Sequence, residues 1–231
     1  MDAHGIVGGQ ARRLTVRNTE IHTFSGDAIQ LDADRGTPQW SAVIEGCRFW
    51  SGPLPSAIGG YAMGVNPAEN AIDTKTSDTT VEPAMLTVID TIAFGFGDTL
   101  IGNGAAFNIK ENVVATFDRV TVFDSDVAFR LRGMTSSRPR GSRTTIDNAV
   151  IYRVDQGVRY EDGLSMGDVV VRHVTFGADV AQTFEDQSAL GAATIRASNV
   201  LVLGGALPTE LMGTTSLALD ASVFVDAAGH D

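Results

Sequence analysis

What most limits the folds open to this chain is a recurrence of short alternating runs. Leu14-Thr15-Val16-Arg17-Asn18, Leu86-Thr87-Val88-Ile89-Asp90, Thr144-Thr145-Ile146-Asp147-Asn148, Asp168-Val169-Val170-Val171-Arg172 and Thr194 to Asn199 are each β-branched and alternating, as strands are. A second run follows at Glu20-Ile21-His22, Val120-Thr121-Val122, Ala149-Val150-Ile151 and Val174-Thr175-Phe176. A third reads Ala28 to Leu31, Ala71 to Lys75, Ala106 to Lys110, Ala128 to Arg132, Gly157 to Glu161 and, less cleanly, Gln182 to Glu185. With Asn18, Gly46, Thr91, Arg119, Asn148, His173 and Asn199 as equivalent points, the repeat is roughly 25 to 29 residues long. The longer interval after Gly46 holds Ser51-Gly52-Pro53-Leu54-Pro55 through Asn66-Pro67, whose Pro and Gly content marks an inserted loop.

Three short strands per repeat, without amphipathic segments long enough for crossover helices, predict an all-β chain. The expected architecture is a single right-handed parallel β-helix over residues 1–231, a solenoid of about seven to eight rungs of three strands, with a weaker rung near Leu217 to Phe224. Asn18, Asn148 and Asn199 fall at one strand-turn junction, where stacked amides are expected to bond along the axis. No capping helix is evident at either end, so the sequence reads as a fragment, or as a chain that associates end to end or as a homo-oligomer.

Composition narrows the partners. A formal net charge of −11 argues against nucleic acid and anionic membrane. No window approaches the roughly 18 apolar residues of a membrane span. Met1-Asp2-Ala3-His4-Gly5 lacks the pattern of a signal peptide, so the chain reads as a trimmed mature domain. The one cysteine, Cys47, lies in an apolar stretch and is expected to be a buried thiol.

Strand alternation divides the third runs into two faces. Ile29, Ile72, Phe107, Phe129 and Val158 are expected inside, with Leu31, Thr74, Ile109, Leu131 and Tyr160 two residues on. Facing out are one column of Gln30, Asp73, Asn108, Arg130 and Arg159, and a second of Asp32, Lys75, Lys110, Arg132 and Glu161. Five of the 17 Lys and Arg residues thus share one sheet of an acidic molecule. Stacked cations repel by about 1 kcal/mol per close pair in water, so their concentration suggests an anionic ligand. Loops leave the ends of these strands at 33–38, 76–83, 133–143 and 162–167, and the third carries Arg138, Arg140 and Arg143.

The three-strand repeat, the segment Glu69-Asn70-Ala71-Ile72-Asp73-Thr74-Lys75-Thr76 and the arginine-bearing Ala128-Phe129-Arg130-Leu131-Arg132-Gly133 resemble the pectate-lyase-like superfamily of right-handed β-helices. The resemblance implies a polysaccharide lyase that cleaves an acidic, uronate-containing polysaccharide by β-elimination, outside the cell or in the periplasm. Such chemistry removes the proton at C5 of a uronate whose carboxylate has been neutralised by a cation or a metal. Lys75 is the expected base, with Lys110 as alternative; Arg130 and Arg132 are the stabilisers. Asn108, Lys110, Arg159 and Glu161 are expected to bind substrate, and Asp73 with Glu69 to ligate Ca²⁺. Two other readings stand beside it. One is a non-catalytic glycan-binding or adhesion solenoid using the same columns. The other is a glycoside hydrolase built on Glu161-Asp162 and Glu185-Asp186. On the bland reading Asp73–Lys75 and Arg159–Glu161 are surface ion pairs. His4, His22, His173 and His230 are too scattered for a metal cluster, and Trp40 and Trp50 lie near loop edges, where a sugar ring or a covering loop would meet them.

Overall fold

A computed structural model describes residues 3–9, 11–32, 39–76, 82–102, 104–134, 140–162, 168–187, 195–220 and 222. Most of the strand-end loops lie outside that set, as do Thr194, Arg138 and His230. The described chain is all-β, and every pairing between its named strands is parallel.

The first runs form a seven-stranded sheet. Its members are β2 (Arg13–Arg17), β5 (Ser41–Glu45), β8 (Ala84–Ile89), β11 (Val113–Asp118), β13 (Arg143–Asp147), β15 (Val169–Arg172) and β18 (Ile195–Ser198), each beside the strand of the next repeat. The second runs are β3 (Glu20–His22), β6 (Arg48–Trp50), β9 (Ile92–Phe94), β16 (Thr175–Phe176), β19 (Leu201–Leu203) and β20 (Leu217–Leu219). The third runs are β1 (Ile6–Val7), β4 (Ile29–Leu31), β7 (Asn70–Thr74), β10 (Ala105–Ile109) and β17 (Val180–Gln187). Two strands, β12 (Thr121–Arg132) and β14 (Val150–Glu161), run through both series and join them into one 13-stranded sheet.

Between the sheets lies one continuous apolar core, because alternation sends every second side chain inward. Phe107 meets Phe117 at 4.8 Å and Phe129 at 5.2 Å, and Phe117 meets Phe129 at 5.0 Å, so rings from both sheets interlock. All ten side chains expected inside on the third runs are fully buried. Each large one contributes about 1.5–3 kcal/mol by leaving water. Cys47 is buried with Sγ 3.3 Å from the Glu45 carbonyl, as expected of a small apolar thiol.

The corner between first and second runs is built the same way in every repeat. Asn18, Gly46, Asp90, Arg119, Asn148, His173 and Asn199 all have φ between 48° and 63°. Asn and Gly tolerate this left-handed conformation best; elsewhere local hydrogen bonds hold it. The third point is Asp90, one residue before the Thr91 expected from sequence, and Thr91 instead turns its hydroxyl to the Ile89 carbonyl at 2.9 Å. The asparagines are not stacked on one another, because register sets Gly46 over Asn18, and Arg119 and His173 on either side of Asn148. The ladder is mixed instead: Asn148 donates to Asp118 at 2.8 Å, His173 bonds Asp147 at 2.8 Å, and Asn199 lies 3.1 Å from His173 Nε2.

The insertion after β6 contains an isolated antiparallel bridge, Ile58 with Tyr61, and is anchored where Asn66 accepts from Ser51 at 2.8 Å and donates to the Gly95 and Gly97 carbonyls. At the other end a 3-10 turn, Thr209–Leu211, closes part of the core: Leu211 is fully buried, and Tyr160 donates to Glu210 at 3.3 Å. Sequence had suggested no cap because three residues of 3-10 turn leave no helical periodicity.

Candidate functional site

Register assembles the two polar columns. Gln30 pairs with Asp73, Asp73 with Asn108, Asn108 with Arg130 and Arg130 with Arg159. One step on, Arg132 pairs with Glu161, while Lys110 and Lys75 follow the paired Ile109 and Thr74. Side chains from five repeats therefore form one wall, because parallel neighbours lie about 4.8 Å apart.

The wall is deeper than expected: Asp73, Asn108 and Arg159 are 4%, 4% and 7% exposed. It is also internally neutralised. Asp73 receives Asn108 Nδ2 at 2.9 Å, and its oxygens lie 3.4 Å from Lys110 Nζ and 3.6 Å from Lys75 Nζ. Burial raises the Asp73 carboxyl above its ordinary range, against the pull of Lys110 and Lys75. Glu161 is held by three arginines. Arg130 grips it with both ends of its fork at 2.9 and 3.2 Å, Arg159 reaches it at 2.9 Å and Arg132 at 3.3 Å. Burial opposes ionisation of Glu161, yet these cations outweigh it and leave its carboxyl below the usual range. Arg132 also meets Asp162 at 3.0 Å and Glu111 at 3.8 Å.

All nine residues expected at the site fall on this wall or its margin. Lys75, Lys110, Asn108 and Asp73 converge at one end, and Arg130, Arg132, Arg159 and Glu161 at the other. Glu69 stands at the near edge, where its amide donates to the Gly26 carbonyl at 2.6 Å, and it faces Asp27 rather than sharing a ligand with Asp73. Asp27 is fully buried and bonds Asn70 at 2.7 Å and Gln30 at 3.2 Å. Of the proposed hydrolase pairs, Glu161 and Asp162 are taken up by arginines, while Glu185 accepts from Gln187 at 2.8 Å. Trp40 is buried beneath the wall and donates to the Lys75 carbonyl at 2.8 Å, which fixes the backbone carrying that lysine.

A second surface feature escaped sequence reading. His22, Trp50, Phe94, Phe123 and Tyr152 occupy one register position on the second runs and stack face to face, with centroids 4.4 to 5.9 Å apart. Arg48 lies over Trp50 and Phe94, and Arg153 over Phe123 and Tyr152. Trp50, the last residue of β6 before the inserted loop, thus belongs to a ring ladder. The signal was present in the sequence but masked, since runs begun at Val120 and Ala149 stop one residue before Phe123 and Tyr152. Rings stacked in this way turn their edges outward, which suits packing better than a sugar platform.

No protein family, curated protein or solved structure matches the chain.

Proposed function

We propose that the chain is a right-handed parallel β-helix whose third-run wall holds an acidic, uronate-containing polysaccharide. Handedness follows from the near-universal right-handed sense of crossovers between parallel strands, about 98% of cases. One observation carries the functional reading: in-register stacking places the donors Asn108, Arg130 and Arg159 beside Lys75, Lys110 and Arg132, with Asp73 and Glu161 as acceptors among them, in a strip spanning several repeats. An extended polymer matches such a strip better than a small metabolite does. A guanidinium has five donors, and Glu161 takes two from Arg130, so part of each fork can pair with a ligand carboxylate. Retardation of the protein in gels containing pectate, alginate or a glycosaminoglycan tests this; equal mobility in all of them rejects it. Retention that depends on the exposed cations of the wall should weaken as salt screens them.

Lys75 favours a second reading, β-elimination. Its side chain is 37% exposed, more than Lys110, Arg130, Arg132 or Arg159, and it is the amine best placed to reach a bound sugar. On that reading Lys75 in its deprotonated form takes the C5 proton, Arg130 and Arg132 neutralise the adjacent carboxylate, and the C4–O glycosidic bond breaks as the C4–C5 double bond forms, the leaving oxygen taking a proton from water. Release of unsaturated uronate, followed by absorbance, separates the two. Turnover that vanishes in Lys75→Ala while binding remains supports the lyase, and binding without turnover in the unaltered protein supports the holding module. Ca²⁺ does not fit Asp73 and Glu69 as arranged: two ammonium groups already face the Asp73 oxygens, and a calcium ion wants six to eight oxygen donors. A polymer of this kind would be met outside the cell or in the periplasm.

A further inference from the structure

Just around the corner from the wall lies a pocket of about 300 Å³ whose lining includes Pro83, Asn112, Val114 and Met134, the cations Arg140 and Arg143, and the carboxylate-bearing Asp168. It is reached within two residues of Lys110 and of Arg132, since Asn112 and Met134 belong to the turns that leave those strands. The turns are fixed by backbone. Asn112 takes the left-handed conformation, φ 57°, and its amide donates to the Arg140 carbonyl at 2.9 Å, while Ser142 donates to the Arg132 carbonyl at 2.8 Å. Gly141 packs closely here: a Cβ would sit 3.1 Å from both Gly133 Cα and the Met134 nitrogen.

Arg143 distinguishes this pocket from the wall. Every cation of the wall faces a carboxylate, whereas among the described residues the Arg143 guanidinium has no hydrogen-bond or ion-pair partner. It opens β13 in register with Val114, exposed on the outer face of the sheet. Pro83, Val114 and the 44%-exposed Met134 add apolar surface beside that fork. A planar, doubly donating cation next to an apolar wall, in a space the size of one or two small rings, selects a carboxylate attached to a compact ring. We propose that this pocket is a subsite for a single carboxylate-bearing sugar ring, with Arg143 as its anchor. The sugar class rests on the wall reading above; the anion requirement rests on Arg143 alone.

Calorimetric titration of the full chain with galacturonic acid, and with galactose as its uncharged counterpart, tests the proposal. Saturable binding of galacturonate, little of galactose, and weakening by about tenfold or more in Arg143→Ala is the expected result. Arg143→Lys should recover only part of the affinity, since an ammonium is a point charge and not a fork. Because Arg143 has no partner to lose, its variants should melt with the unaltered protein. Absence of saturable galacturonate binding, equal binding of galactose, or full binding by Arg143→Ala overturns the subsite. The wall fails separately: galacturonate bound through Arg143 with no retention by any acidic polymer removes the wall and keeps the pocket. Polymer retention lost in Arg130→Ala, without galacturonate binding, removes the pocket alone.

Discussion

Glu161 shows how much one residue can organise. Its carboxylate is 12% exposed and gathers Arg130, Arg132 and Arg159 from two adjacent strands. Glu161→Gln leaves three buried or half-buried guanidiniums facing a neutral amide, and breaking such a pair costs on the order of 3 kcal/mol. The sign with pH follows from the lowered carboxyl: a group whose folded value lies below its unfolded one stabilises above the unfolded value and stops doing so as pH falls through the folded one. The melting temperature of Glu161→Gln should therefore lie below that of the unaltered protein at neutral pH and converge with it in acid, below the ordinary Glu value of about 4.3. A constant gap down to the acid limit would show that the carboxylate charge is not what holds the arginines. Residue membership of the wall was legible in sequence, because alternation alone puts Asp73 with Lys75 and Arg130 with Arg132. Their mutual neutralisation was not: it depends on which oxygen each fork reaches across strands, and no spacing rule encodes that.

At the scale of elements, the corner after β9 is the tightest joint. Gly95 has φ 83°, and a Cβ there would stand 1.9 Å from the Ser51 carbonyl oxygen. Gly95→Ala must displace the strand end of the neighbouring repeat, so it should lower stability by more than about 2 kcal/mol, read from thermal unfolding by circular dichroism. An unchanged melt would mean that the insertion anchored by Asn66 yields freely. The aromatic ladder is the other joint between repeats. Phe94 stacks on both Trp50 and Phe123, and Phe94→Ala should cost about 1–3 kcal/mol from two lost ring pairs together with exposed surface. Near-ultraviolet circular dichroism of the tryptophans should diminish with it. Strands of the first and third runs could be read from β-branched alternation. The second runs beginning at Val120, Ala149 and Val174 each start a residue before the paired strand, because two or three paired residues carry too little pattern to fix a register.

For the whole molecule the decisive fact is that one apolar cluster runs from Val16 to Leu211 without interruption. Each repeat buries its faces only against its neighbours, so a break in the cluster would let the two ends melt independently. With none, urea unfolding followed by tryptophan emission and by far-ultraviolet circular dichroism should give coincident single transitions. Phe129→Ala should move both together by about 3–5 kcal/mol. Separate midpoints for the two probes would show that the insertion between β6 and β7 divides the stack into two cooperative units. The repeat foretold the parallel pairing of the described strands, since a period of one supersecondary unit leaves few other ways to bury a face. The closing turn at Thr209–Leu211 had no such signature, because it rests on Leu211 and Glu210 meeting partners far away in sequence.

The two indoles give this molecule a built-in pair of optical sensors. Trp40 is 2% exposed and tethered to the Lys75 carbonyl, whereas Trp50 lies half-buried between His22 and Phe94 under a guanidinium. Acrylamide should quench the redder component from Trp50 and spare the bluer one from Trp40. A polymer settling on the wall would then shift the protected band and leave the accessible one unmoved, so occupancy could be followed without any label.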